Sequence, residues 1–175
     1  MRKTVFTFGL LSGIIAALLM LINLYVVESS GNWDRGVTWG YTAIVLSLVF
    51  VFFGIRSYRE NVMGGTISFG KAFYVGLLIA LVSSILYVLC WLVVNHFLFP
   101  DFADRYADAQ IQKLQDAGKS AQEIADMQAE LMKYKDMAQN PLMNALLAFT
   151  EPFPVGVVIT LISALILKRK SAATK

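Results

Sequence analysis

Three polar residues in or beside long apolar tracts are the candidates for chemistry: Glu151, His96 and Asn95. An ionisable side chain inside a membrane span is costly and is a functional candidate by default. Glu151 is followed by Pro152 and Pro154, and transporters bind ions at helices that are interrupted in this way. The pattern therefore predicts a polar membrane site for a proton or cation at Glu151, which His96 and Asn95 could face.

A second interpretation of Glu151 stays open at this point. An acidic side chain in the first turn of a helix is stabilised by the helix dipole, and proline is favoured there. Glu151 would then only begin a helix, and both Glu151→Gln and Glu151→Leu would be tolerated. His96 would make an ordinary hydrogen bond at the membrane surface.

Catalytic and nucleotide-binding signatures are missing from the sequence. Gly64 does not begin a phosphate-binding loop, and no G-x-S-x-G nucleophile motif occurs. Cys90 is the single cysteine and His96 the single histidine, which excludes an intrachain disulfide and a Cys/His metal site. We therefore predict a non-enzymatic protein without a cofactor or a metal.

Four apolar tracts must position these residues. The chain has 57% hydrophobic and 15% charged residues, far from the roughly 25% charged residues of soluble domains. A helix needs roughly 20 apolar residues to cross the bilayer. Tracts of this kind predict an all-α fold, a four-helix transmembrane bundle in a single membrane domain (1–175), with spans at about 5–27, 37–55, 72–98 and 148–167.

The basic residues predict the orientation of the bundle. Nine lie in the two termini and the segment between the second and third spans, whereas six lie in the remaining, longer loops. Because cytoplasmic loops carry the excess of Lys and Arg, we predict a protein of the bacterial inner membrane with both termini in the cytoplasm. Because the basic residues flank the apolar tracts, membrane orientation accounts for the net charge of +3, and we predict no nucleic-acid partner.

The outer loop, 99–140, differs from the rest of the chain, with 8 acidic and 5 basic residues. Gly118 divides it, and Ser120 with Glu123 fits a capping box that begins a helix. Phe102 and Tyr106 give the first half a weak apolar face. We predict an extramembrane helical hairpin between the third and fourth spans.

Small residues at a spacing of four predict the helix-packing faces. Helices in lipid associate by close backbone approach through small side chains. The predicted packing residues of the first, third and fourth spans are Gly9, Gly13, Gly76 and Gly156. The face with Gly9 and Gly13 could serve self-association instead.

The chain resembles the bacterial domain-of-unknown-function family 4199. The resemblance covers nearly the whole chain and rests on the segments Phe8-Gly9-x-x-x-Gly13, Ile67 to Gly76, and Phe153 to Lys170. It implies a small four-span inner-membrane protein and brings no activity and no catalytic residues.

Two classes of function fit these observations. The first is a non-enzymatic accessory or interaction component, whose partners are the lipid bilayer and either a second copy or another membrane protein. The second is a small proton- or cation-coupled transporter that acts as a dimer and uses Glu151.

Overall fold

The computed structural model describes residues 1–169, which fold into helices joined by short turns. No strand occurs in this part of the chain, where one antiparallel bridge joins Ile67 to Arg169. The helices are α1 (Arg2–Ser30), α2 (Trp33–Asn61), α3 (Phe69–Phe97), α4 (Phe102–Asp116), α5 (Ala121–Gln139), α6 (Pro141–Phe149) and α7 (Pro152–Leu167). Lys170 and Lys175, which contribute to the predicted cytoplasmic C-terminal segment, lie outside the described residues.

Four of the helical segments are long and apolar enough to cross a membrane: α1, α2, α3, and α6 together with α7. The prediction of an all-helical fold with four such segments is therefore confirmed. The fourth differs in extent from the predicted span, because apolar helix already begins at Pro141 and is interrupted before Pro152. Asn140 caps α6 by accepting from the backbone N–H of Leu142 at 2.9 Å, which explains the earlier start.

Successive long apolar segments run in opposite directions through the bundle, and α3 lies against α1, α2 and α7. At one end, the base, Ile67 and Arg169 exchange backbone hydrogen bonds of 3.0 and 2.9 Å. At the other end, α4 and α5 pack against each other, and α4 covers the α1–α2 turn; we call this pair of helices the cap. Gly118 separates α4 from α5 with a φ of +65°, a conformation that favours glycine.

The predicted capping box at the start of α5 is present. Ser120 accepts from the backbone N–H of Glu123 at 3.2 Å, and Glu123 accepts from the backbone N–H of Ser120 at 3.0 Å. Lys119 and these Ser120 contacts stabilise the carboxylate, which lowers the pKa of Glu123 to about 2. The Glu123 carboxylate therefore stays ionised at neutral pH and completes the capping box at the start of α5.

Glycines allow the helices to touch in the half of the bundle nearest the base. A Cβ on Gly9 would lie 2.7 Å from Cβ of Val82, and one on Gly76 would lie 2.7 Å from Cγ2 of Thr160. Gly13 and Gly156 are equally close to α3, through Leu86 and Ala80 at 2.9 Å. The face with Gly9 and Gly13 is therefore occupied by α3 within the same chain, which leaves it no room for self-association.

A buried chain of hydroxyls joins three helices at the centre. Ser83 on α3 donates to Ser12 on α1 at 2.9 Å, and Ser12 donates to the carbonyl of Ser47 on α2 at 2.8 Å. All three residues are buried. Hydrogen bonds of this kind help to hold helices together where burial from water is no driving force.

The contact between Gly156 and Ala80 predicts that one methyl group added at Gly156 lowers the stability of the bundle. In Gly156→Ala the new Cβ would meet Cβ of Ala80 at 2.9 Å, and neither atom can rotate away. We expect a loss of about 1–3 kcal/mol from overpacking, measured as a lower midpoint of thermal unfolding in detergent.

The matched control is Gly70→Ala on α3, where an added Cβ has no described atom within 4 Å. Alanine favours helix over glycine by up to about 1 kcal/mol, so this variant should be as stable as the parent or slightly more. Equal midpoints for the two variants would contradict the packing described here.

Candidate functional site

A cavity of about 160 Å³ lies in the half of the bundle nearest the cap. Its walls come from α1, α2, α3 and the junction of α6 with α7, and the cap forms its roof. Val37, Tyr41 and Glu151 line it and are also exposed. The cavity is therefore open on the side between α2 and the α6–α7 junction.

Aromatic rings form the roof of the cavity. Phe102 of α4 forms edge-to-face pairs with Trp33 of α2 and Trp91 of α3, with ring centroids 5.5 and 5.1 Å apart. Tyr106, one turn further along α4, lies 5.8 Å from Trp33. Edge-to-face pairs are favourable at these separations, so the four rings hold the cap against two different helices.

Two ion pairs fix the cap to the α1–α2 turn. Arg105 pairs with Glu28 at the end of α1, and Lys113 pairs with Asp34 at 2.7 Å in the first turn of α2. All four side chains are exposed, and such pairs each contribute at most about 1 kcal/mol. Their main effect is to set the position of α4, whereas the aromatic contacts supply the stabilisation.

Glu151 lies at the interruption of the fourth segment. Pro152 and Pro154 have no N–H to continue the hydrogen bonding of α6, and the chain resumes a regular helix only at Pro152. Glu151 occupies the N-terminal cap position of α7, but its side chain makes no capping hydrogen bond. Its Oε2 instead accepts from the hydroxyl of Tyr87 on α3 at 2.9 Å.

The hydrogen bond with Tyr87 turns the carboxylate toward the cavity, which both residues line. Tyr87 is 7% exposed, so its hydroxyl depends on Glu151 for a partner. Among the described residues, Glu151 is the one charged side chain that lines the cavity. The predicted candidate thus faces an aromatic-lined space as well as beginning a helix.

His96 and Asn95 do not share this cavity. They line a second one, of about 420 Å³, between the end of α3, the cap and α6. The ring of His96 is exposed and lies 4.6 Å from that of Phe97. Trp91, Phe102 and Tyr134 line both cavities and stand between them, so the structure does not bring His96 or Asn95 to Glu151.

Sequence reasoning missed Tyr87 and the role of the two tryptophans. Tyr87 lies in the apolar stretch of α3, where a buried phenol hydroxyl needs a hydrogen-bond partner. This requirement was the signal in the sequence that could have identified it. Trp33 and Trp91 resemble residues of an interfacial belt, whereas in the structure they are half-buried against Phe102. The pairing depends on the path of α4, which the spacing of residues does not reveal.

Four helical segments that are long and apolar enough to cross a membrane indicate a helical membrane protein. The model of the family described as "Protein of unknown function (DUF4199)" matches residues 7–169. The chain belongs to this family, as the sequence motifs predicted. Comparisons with curated proteins and with solved structures returned no match.

The Tyr87–Glu151 hydrogen bond predicts different outcomes for two substitutions of Glu151. Gln can still accept from the Tyr87 hydroxyl, so Glu151→Gln should keep the parent stability. Glu151→Leu would leave a buried hydroxyl unpaired, and we expect a loss of about 1–3 kcal/mol, measured by thermal unfolding.

The double variant Tyr87→Phe/Glu151→Leu removes both partners and serves as the control. Replacing both ends of a hydrogen bond by apolar groups can be nearly neutral, so the double variant should recover much of the loss. If the double variant loses as much stability as Tyr87→Phe and Glu151→Leu lose together, the hydrogen bond is not the cause of the loss.

Proposed function

We propose that this protein is a non-enzymatic accessory or interaction component of the bacterial inner membrane. It crosses the membrane four times with both termini in the cytoplasm, and α4 and α5 form an extramembrane cap on the outer side. The observation that supports this role is the fixed position of the cap. Ion pairs and aromatic contacts hold it on the bundle, so it offers other molecules a defined surface.

The outward side of α5 is the part of the cap suited to such an interaction. Met132 and Met137 are 66% and 41% exposed, and flexible methionines adapt to partner surfaces. The 99–140 segment that carries them has 8 acidic and 5 basic residues. A photo-cross-linking residue at Met132 in native membranes should give a discrete protein adduct. The same residue at Leu18, 54% exposed on the apolar helix α1, should give none, and identical adducts at both sites would contradict the proposal.

A small proton- or cation-coupled transporter is the second candidate, and one observation favours it. Glu151 lies at an interrupted helix and lines a cavity between the spans, an arrangement that transporters use to bind ions. A dimer would be its working form. Proton uptake into proteoliposomes separates the two candidates, because the accessory role predicts no flux above that of empty liposomes. Flux that Glu151→Gln abolishes with the fold intact would establish the transporter instead.

The proposed orientation makes a prediction of its own. Reporter fusions after residue 175 should be active only in the cytoplasm, and a reporter inserted at Gly118, in the α4–α5 turn, only outside. The expected cause is the nine basic residues on the cytoplasmic side. Signals from the same side at both positions would rule out this topology.

A further inference from the structure

We propose that the capped cavity is a binding site for a small, singly charged organic ammonium ion. The cavity combines a single carboxylate with a surface of aromatic rings. Binding is inferred independently of either proposed function, since it requires neither transport nor a protein partner.

The aromatic rings select for an organic cation. The faces of Trp and Tyr attract cations, and cages of such rings are the usual receptors for methylated ammonium groups. Trp33, Trp91 and Tyr106 enclose the roof, while Tyr41 and Tyr87 line the walls. A neutral apolar molecule would gain burial here but would leave the carboxylate of Glu151 without a counterion, which disfavours it.

Glu151 sets the charge and position of the ligand. The Tyr87 hydroxyl holds one carboxylate oxygen at 2.9 Å, so the other oxygen can contact the ligand. Because this is the one charged group among the described lining residues, it balances a single positive charge. A small metal cation prefers six or more oxygen ligands, whereas an ammonium bearing methyl groups is matched by a lining of aromatic rings.

The volume limits the size of the ligand. At about 160 Å³ the cavity is close to engineered cavities of about 150 Å³ that accept benzene. Choline and tetramethylammonium are therefore suitable probes. The same ammonium chemistry could come from a free solute or from a lipid headgroup, since the cavity is open between α2 and the α6–α7 junction.

The test compares choline with 3,3-dimethylbutan-1-ol, which has the same shape but carbon in place of the charged nitrogen. The full chain is placed in phosphatidylglycerol nanodiscs at constant ionic strength, and binding is measured by calorimetry and by the fluorescence of its tryptophans. We expect saturable binding of choline with one site per chain and binding of the neutral alcohol at least about tenfold weaker. Equal binding of both probes, or saturable binding of neither, would overturn the proposal.

Two variants locate the site. Glu151→Gln should weaken choline binding about tenfold or more, and Tyr41→Leu, at the exposed edge of the cavity, should weaken it severalfold. Glu130→Gln removes a carboxylate from the exposed surface of α5 and should change nothing. Unchanged affinity in Glu151→Gln, with the parent unfolding midpoint, would contradict the assignment.

A change of lipid identifies the source of the ligand. Adding phosphatidylethanolamine to the nanodiscs should lower the apparent affinity for choline if a headgroup amine occupies the cavity. An unchanged affinity supports a free solute. Each result supports the proposed ammonium chemistry, provided that the Glu151→Gln effect is present.

Discussion

The rest of the structure depends on the close approach of α7 to α3 at Gly156 and Ala80. Lipid is as apolar as the helix surfaces, so burying leucine or valine gives no net drive to association. Contact between backbones must supply it, and a single methyl group at Gly156 would already be too close to Ala80 at 2.9 Å. Gly9 makes the equivalent approach of α1 to α3, with Val82 at 2.7 Å. These contacts make α3 the helix on which α1 and α7 pack.

Tight packing in one half of the bundle permits a cavity in the other. The glycine contacts and the hydroxyls of Ser12, Ser47 and Ser83 close the half nearest the base. Beyond them the helices carry large rings, and the fourth segment turns at Glu151 where proline interrupts its hydrogen bonds. The interruption of the fourth segment leaves a space in this half, which the cap covers. The cavity thus lies where the fourth segment is interrupted.

Most of the fold could be predicted from the sequence because its signals are local. Apolar length predicts the four helical segments, and the Ser120–Glu123 capping box marks the start of α5 within one residue.

The candidate site could be predicted only in part. Glu151 was recognisable as an acid beside prolines, but its partner Tyr87 is 64 residues away. His96 was placed near it because both were expected at the outer end of the bundle, whereas the rotation of α3 directs Tyr87 toward Glu151 and His96 toward the second cavity. Such rotations are set by packing and leave no trace in spacing.

The two interpretations of Glu151 are compatible once the geometry is known. An N-cap side chain normally accepts from the second or third backbone N–H of its own helix, but Pro154 at the third position has no such donor and the side chain of Glu151 caps none. The dipole of α7 still stabilises a negative charge at this end, while the carboxylate itself is turned to Tyr87 and the cavity. Interrupting the helix with proline therefore releases the carboxylate from capping. A charge that would otherwise be satisfied within its own helix becomes available to a ligand that enters from the side of the bundle.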